Sequence, residues 1–410
     1  MKNNHTTLEE IDKLKRKNLW ALFFINLIHG MGVGMFNVVY QPYMLDLTNS
    51  ILITGILITL GAFIQFIPMP LVGRLSDRIG RRKLMLISVP FYVLGLTFLI
   101  FSNSNTFILL ILGIISYYVG FIMNNLGTLI FISENSNKSK GLMYGLILFS
   151  FFGGTIGGST FVLLGGAFDT RVFFGLFIGI MIVEGFINIA FLSDKLIFKK
   201  YSSVKLSETD TEEGIWKKIM KNPRSKNIII FFALDLFIYN IGLSIYSAGL
   251  RDFYLITREQ LALITIVFNV TNVIFQIPGG HVADKIGKKK SLILSQFFGL
   301  SFFIINISAY YVWAGSFTAF LFPALLISQV PFALSVCTFI PSQQMSLTDL
   351  DETRKGESYG ISGLLRGIGF LPTGYIGGFL IENVHYVAPL FVSFFGIFIE
   401  IWYLAKYFHE

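Results

Sequence analysis

Three ionisable side chains of this sequence stand where ionisable side chains are expensive. Asp235 lies about eight residues inside an apolar run, roughly 12 Å deep if the run is helical at about 1.5 Å per residue. Arg366 lies within a second such run and His29 within a third. A carboxylate shielded from water can take up and release a proton as its surroundings change, and an imidazole titrates near neutral pH. Asp235 and His29 are therefore the candidates for carrying protons. A guanidinium does not deprotonate, so Arg366 either pairs with a carboxylate, Asp235 being available, or binds an anionic substrate.

Polar residues recur around these three at helical spacing. At about 100° per residue, Asn26, His29, Asn37 and Tyr40 share one face, as do Asp235, Tyr239 and Tyr246, and Tyr117, Asn124 and Thr128. Such stripes either line a wet cavity or hold helices together. Cavity lining is the expectation for Asn26, His29, Asn37, Tyr40, Tyr117, Asn124, Tyr239, Tyr246 and Arg366, and helix packing for the amides Asn269, Asn272 and Gln276. No nucleophile–base pair or metal-ligand cluster is legible, so neither an enzyme nor a cofactor or metal is expected. The single cysteine, Cys337, precludes an internal disulfide.

The elements that would position these residues are set by composition. Only 14% of the 410 residues are charged and 54% are hydrophobic, against about a quarter charged in soluble domains. Apolar runs of about 20 residues, long enough to cross a bilayer as helices, recur throughout. Twelve are legible, at roughly 18–43, 51–72, 82–102, 107–133, 141–166, 172–193, 227–249, 260–283, 290–313, 315–340, 356–382 and 385–407. The expected fold is an all-α polytopic membrane protein of twelve transmembrane helices. Residues 1–193 would form one six-helix bundle, 194–226 a polar central loop, and 227–410 a second six-helix bundle.

Twelve crossings put both termini on one side. Of the 32 Lys and Arg, 28 fall in the tails and loops of that side and 3 in the opposite loops, with Arg366 inside a span. The positive-inside rule makes that side cytoplasmic. The net charge of +8 is thus a topology signal, and no nucleic-acid partner is expected. The polar first 17 residues read as a cytoplasmic lead-in rather than a cleavable signal. Within the central loop, "EEGIWKKIMKN" reads as a solvated linker or a short amphipathic helix along the headgroups.

The chain also repeats itself. "GRLSDRIGRRK" (73–83) matches "GHVADKIGKKK" (280–290), "KGLMYG" (140–145) matches "KGESYG" (355–360), and, more weakly, Glu184 matches Glu400. Three ordered echoes indicate a duplicated six-helix unit, a common ground plan of secondary transporters. The pattern Gly-x-Leu-x-Asp-Arg-x-Gly-Arg-Arg between spans 2 and 3 resembles the signature loop of the major facilitator superfamily, and its weaker copy lies where that family places it.

The resemblance implies two pseudo-symmetric bundles with spans 1, 4, 7 and 10 around a central cavity, and spans 6 and 12 at the periphery. Packing or interfacial roles follow for Glu184 and Glu400. It further implies a conformational lock of Gly73, Asp77, Arg78, Gly80, Arg81, Glu134 and Asp284. Asp77 would meet the start of span 11, and Arg78 and Arg81 would meet Glu134. "GGTIGGSTFVLLGG" (153–166) partly resembles the span 5 signature of the family's drug/proton antiporters, with Gly158 where that signature has proline. The expected activity is alternating-access transport of a small organic solute, as proton-coupled export or as symport of a small organic anion or sugar. A transporter-shaped sensor is a third reading. The setting would be the plasma membrane, with lipid, protons and substrate as partners and the protein a monomer.

Overall fold

The computed structural model describes residues 8–135, 140–193, 220–316, 318–348 and 355–408. Among these the chain is helical throughout, with no strand. The helices are α1 (Leu8–Thr48), α2 (Ile51–Phe66), α3 (Met69–Ile79), α4 (Arg81–Phe101), α5 (Phe107–Asn135), α6 (Lys140–Leu164) and α7 (Thr170–Phe191). After the central stretch come α8 (Pro223–Leu243), α9 (Tyr246–Tyr254), α10 (Arg258–Ile286), α11 (Lys288–Ala314), α12 (Leu321–Thr348), α13 (Lys355–Gly367), α14 (Thr373–Asn383) and α15 (Ala388–Tyr407).

Eleven of the described segments are long and apolar enough to span a bilayer. The twelfth crossing is α13 and α14 together. Residues 368–372 interrupt it, and Pro372, which has no N–H to donate, stands at the start of α14. Crossing 2 breaks at Pro68 into α2 and α3 in the same way. Crossing 7 breaks without a proline, at Ser244 and Ile245. Pro42, Pro90, Pro278, Pro331 and Pro341 instead lie inside continuous helices, which packing in a membrane protein tolerates.

The first six crossings pack on one another through α4 with α5, α1 with α6 and α7, and α4 with α7. The last six do so through α11 with α12, α10 with α12, and α15 with α8 and α11. The halves meet through α2 with α14, α3 with α13, and α6 with α10. The exterior is apolar and the interior carries the polar groups, as lipid requires. On α7, Phe186 is 68% exposed while Glu184, two residues away, is 2% exposed.

Sequence chemistry sets the helix ends. Ser50, Asp169, Asn222 and Thr257 each cap a helix start by accepting a backbone N–H. The two signature loops share one backbone conformation, with Gly80 at φ 93°, ψ 155° and Gly287 at φ 88°, ψ 159°. A side chain rarely adopts that region, so the duplication is written into the backbone. Gly73 does not end its helix; it is buried within α3, which runs on to Ile79.

Substituting Gly80→Ala or Gly287→Ala should destabilise the protein by about 1–3 kcal/mol each, seen as a lower thermal midpoint in detergent. Gly280→Ala, with nothing within 4 Å of its added carbon, is the control. Equal midpoints for all three variants would contradict a strained backbone at the loops.

Candidate functional site

In the first half, glycines let α1 and α6 approach until side chains would collide. A Cβ at Gly30 or Gly34 would run into the backbone of Phe151 or Thr155, and one at Gly154 or Gly158 into the carbonyls of Leu27 or Met31. Gly32 receives the Phe177 ring of α7 in the same manner. The glycine runs of α1 and α6 thus fix the rotation of α1 and aim His29 into the half. There His29 Nδ1 lies 2.9 Å from Glu184 Oε2 of α7. Asn124 Nδ2 of α5 donates to Glu184 Oε1 at 3.1 Å and lies 3.3 Å from His29 Nδ1. The rings of Tyr92, Phe151 and Phe177 surround the imidazole.

The second half repeats the arrangement between α8 and α15. Ser393 Oγ accepts from Gly242 N at 3.0 Å and donates to Ile238 O at 2.6 Å, fixing the register of these antiparallel helices. Two turns along, Asp235 and Glu400 face each other, close enough to interact directly. Gln296 Nε2 of α11 donates to Asp235 Oδ1 at 3.1 Å. Arg366 of α13 acts on Asp235 electrostatically, but no ion pair joins them among the described residues. Glu400 is fully buried, and neither of its oxygens meets hydrogen-bond geometry.

In the first half Phe36 of α1 stacks on Tyr117 of α5 at 4.1 Å and on Tyr40 at 4.3 Å, against the Phe174 and Phe177 rings of α7. Between the halves, Phe152 of α6 meets Phe268 of α10 edge-on at 6.4 Å. The halves are bridged on both sides of the membrane. Away from the termini, the carboxamide of Gln41 fills the break between α8 and α9. It donates to Ser244 O at 2.9 Å and accepts from Ala248 N at 3.3 Å, satisfying backbone groups that the break would leave unpaired. Asp46 takes a two-pronged contact from Arg251, and Glu382 accepts from Leu52 N at the start of α2. On the terminal side, α3 lies against α13, and the Tyr144 and Tyr359 hydroxyls are 3.4 Å apart. These tyrosines are the equivalent members of the second sequence echo. Equivalent residues of a duplicated unit touch only at its pseudo-two-fold axis.

Comparison with known proteins matches this architecture to a family. The sequence model of the Major Facilitator Superfamily covers residues 22–253 and again 227–410. The chain belongs to the major facilitator superfamily. It is 26% identical to an uncharacterized MFS-type transporter of Methanocaldococcus jannaschii over 90% of each chain. It is 23% identical to the class E tetracycline resistance protein of Escherichia coli, over 73% of this chain and 75% of that one. Among solved structures it resembles the xylose transporter XylE of Escherichia coli, with TM-score 0.73 and 14% identity over 97% and 98% of the chains.

A member of this superfamily is a transporter and not an enzyme, and its twelve-helix, two-bundle fold is the one found here. The cavity candidates separate into groups. His29 and Asn124 converge on Glu184, inside one bundle. Asp235 and Tyr239 lie near Glu400 in the other, with Arg366 near Asp235. Tyr40 and Tyr117 belong to the aromatic cluster of the first half. Tyr246 donates to Asn306 Oδ1 at 2.7 Å, apart from the carboxylates. Among the described residues Asn26 bonds its own helix, at Leu22 O. Asn37 is exposed one turn from Gln41 on the same face, so that face opens between the halves.

Glu184 and Glu400 are buried, so of the packing or interfacial roles expected for them the interfacial one does not fit; Glu184 joins α7 to α1 and α5. The third echo already marked them. Gln296 and Tyr92 had no such signal. Of the span 8 amides, Asn272 approaches Cys337 of α12 through its Oδ1 at 3.3 Å, while Asn269 bonds its own helix at Thr265 O.

In the signature loop, Arg81 is 6% exposed and bridges Glu134 at 2.8 Å, Asp77 at 2.8 Å and Ser76 Oγ at 3.3 Å. Arg78 stands exposed beside this cluster. The side chains of Asp284 and of residues 355–358 at the start of span 11, and the segment read as linker or amphipathic helix up to residue 219, lie outside the described residues.

Because Arg81 and Glu134 are both buried, Glu134→Gln should cost about 3–5 kcal/mol, measured as a drop in the thermal midpoint in detergent. Asp77→Asn, at a side chain 30% exposed, should cost less. A Glu134→Gln midpoint at or above that of Asp77→Asn would refute this ranking.

Proposed function

We propose that this transporter is a proton-coupled exporter of small, largely aromatic organic compounds, working as a monomer in the plasma membrane with both termini in the cytoplasm. The observation that carries the reading is Asp235, held at membrane depth by Gln296 beside Glu400 and Arg366. A carboxyl group so placed is neutral in a dry, closed state and charged in a wet, open one. Its proton is therefore taken up and released as the halves rock against each other. Export is supported by the likeness to a tetracycline resistance protein, and orientation by the 28 basic residues on the terminal side against 3 opposite.

Units 1–193 and 227–410 are the rocking bodies in this reading, joined by 194–226. The contacts between them on both sides of the membrane, Asp46–Arg251 and Tyr144–Tyr359, are the ones that must part in turn. The lock formed by Gly73, Asp77, Gly80, Arg81 and Glu134 steadies α3 where it lies against α13.

A second reading, uptake of an organic anion with protons, is favoured by Arg366, whose Nε is buried and makes no hydrogen bond. The two readings differ in the direction of coupling.

Proteoliposomes with an acidic interior should accumulate tetracycline as protons leave. Asp235→Asn should lower this accumulation at least about tenfold while leaving exchange of external for preloaded tetracycline intact. Equal pH-driven accumulation by the variant and the native protein would overturn the assignment. Uptake of benzoate driven by an acidic exterior, and lost in Arg366→Gln, would establish the second reading instead.

A further inference from the structure

We propose that the first half holds a proton-binding site of its own, on Glu184 with His29 and Asn124, so that each half carries one exchangeable carboxyl proton at mid-membrane. This rests on the proton-coupled reading only for the step from proton site to transport.

The duplication is the first argument. His29 and Asp235 are separated by 206 residues, and so are Tyr40 and Tyr246; Glu184 and Glu400 are separated by 216. The register agrees in space. Two turns from the His29–Glu184 contact, Phe36 meets Phe177 at 6.2 Å. Two turns from Asp235 and Glu400, Gly242 meets Ser393 at 3.0 Å. The same pair of helices thus brings an ionisable residue to a buried glutamate at the same level in each half.

A tyrosine accompanies each glutamate although different helices supply it. In the first half it is Tyr92 of α4, in the second Tyr239 of α8. The position equivalent to Tyr92, 207 residues on, is Gly299, where a Cβ would run into the Tyr239 hydroxyl. The two positions have exchanged large for small, and a phenol remains beside the carboxyl group.

Hydrogen-bond arithmetic is the second argument. The contact between His29 Nδ1 and Glu184 Oε2 at 2.9 Å requires one proton between two atoms that otherwise both accept. Asn124 Nδ2 reaches Glu184 Oε1 and His29 Nδ1 together. While it donates to both, Nδ1 is an acceptor and the shared proton sits on Glu184, leaving the cluster neutral. Moving that proton to Nδ1 breaks the O–H bond, forms N–H and forfeits the Asn124–His29 bond.

The groups facing Glu184 are His29 from α1, Tyr92 from α4 and Asn124 from α5, with the Phe151 ring of α6 against His29. No lysine or arginine pairs with it among the described residues. The Tyr92 hydroxyl lies beside the Asn124 side chain, and both are buried, so water can reach the carboxyl group only when the half opens and the proton leaves to it. Beside Glu400 stand Asp235 and Tyr239, and Gln296 and Arg366 meet Asp235. One proton shared by its two carboxylates, with Arg366 charged, makes that cluster neutral as well.

The test is infrared pH titration of the purified full chain in lipid nanodiscs, following absorption by protonated carboxyl groups. The native protein should show two buried carboxyl steps. Glu184→Gln should remove one, Glu400→Gln the other, and the double variant both. His29→Gln should retain the Glu184 step but move it by about one pH unit or more, which a merely structural histidine would not do. If Glu184→Gln does not fold, Glu184→Asp should keep the step at a changed frequency. Identical titrations of the native protein and the Glu184 variant would overturn the second site, even where tetracycline transport is pH-driven. Two steps without pH-driven transport would confirm both sites and sink only the coupling.

Discussion

A carboxyl group at the middle of a bilayer has few ways to exist: it finds a proton, a cation or several donors, or its helix leaves the membrane. This protein places such a group in the core of each half, and much of the packing follows from satisfying it. Glu184 requires α1, α5 and α7 to converge, which brings α1 close against α6. That approach requires backbone against backbone, hence Gly30 and Gly34 on one helix and Gly154 and Gly158 on the other. Glu400 makes the same demand of α8, α11 and α15, and Ser393 sets the register there by joining α15 to the backbone of α8.

The contacts between the halves are of another kind. Asp46 and Arg251 are 54% and 36% exposed, so their pairing is worth under about 1 kcal/mol. The Tyr144–Tyr359 contact, at 3.4 Å, is a long one. Gln41 spans the α8–α9 break with a side chain that water could replace. Each half thus keeps its buried carboxyl groups inside itself, and the polar contacts across the middle are exposed or long, while the apolar seams of α2 with α14 and α3 with α13 are close-packed at Gly55, Gly374 and Gly360. That division suits two rigid bodies that separate on one side of the membrane and then on the other.

Much of this was legible in the sequence because lipid leaves a chain so few choices. Run length gave the crossings. The repeat of "GRLSDRIGRRK" anticipated the matched conformations of Gly80 and Gly287. What spacing could not give was the partner of each stripe. Helical periodicity states that Asn26, His29, Asn37 and Tyr40 share a broad face, yet α1 touches both halves. A rotation of a few tens of degrees sends His29 inward to Glu184 while Asn37 opens between the halves. Glu184 and Glu400 were visible as an echo but were assigned by the family's usual peripheral place for spans 6 and 12. Gln296 and Tyr92 are ordinary residues in apolar runs, and only packing shows what they face.

The two clusters reach neutrality by different routes. In the proposed first-half site one proton lies between Glu184 and His29, and its loss leaves one negative charge. In the second half two carboxylates and one guanidinium require one proton, and its loss again leaves one negative charge, now with Arg366 nearby to share it. A negative charge in a dry bundle is unfavourable in both halves, but less so where a guanidinium stands close. Arg366 gives the second half a cation to share that charge, where the first half has only the donors around Glu184, and closure of the protein on either side favours the state in which both clusters are neutral.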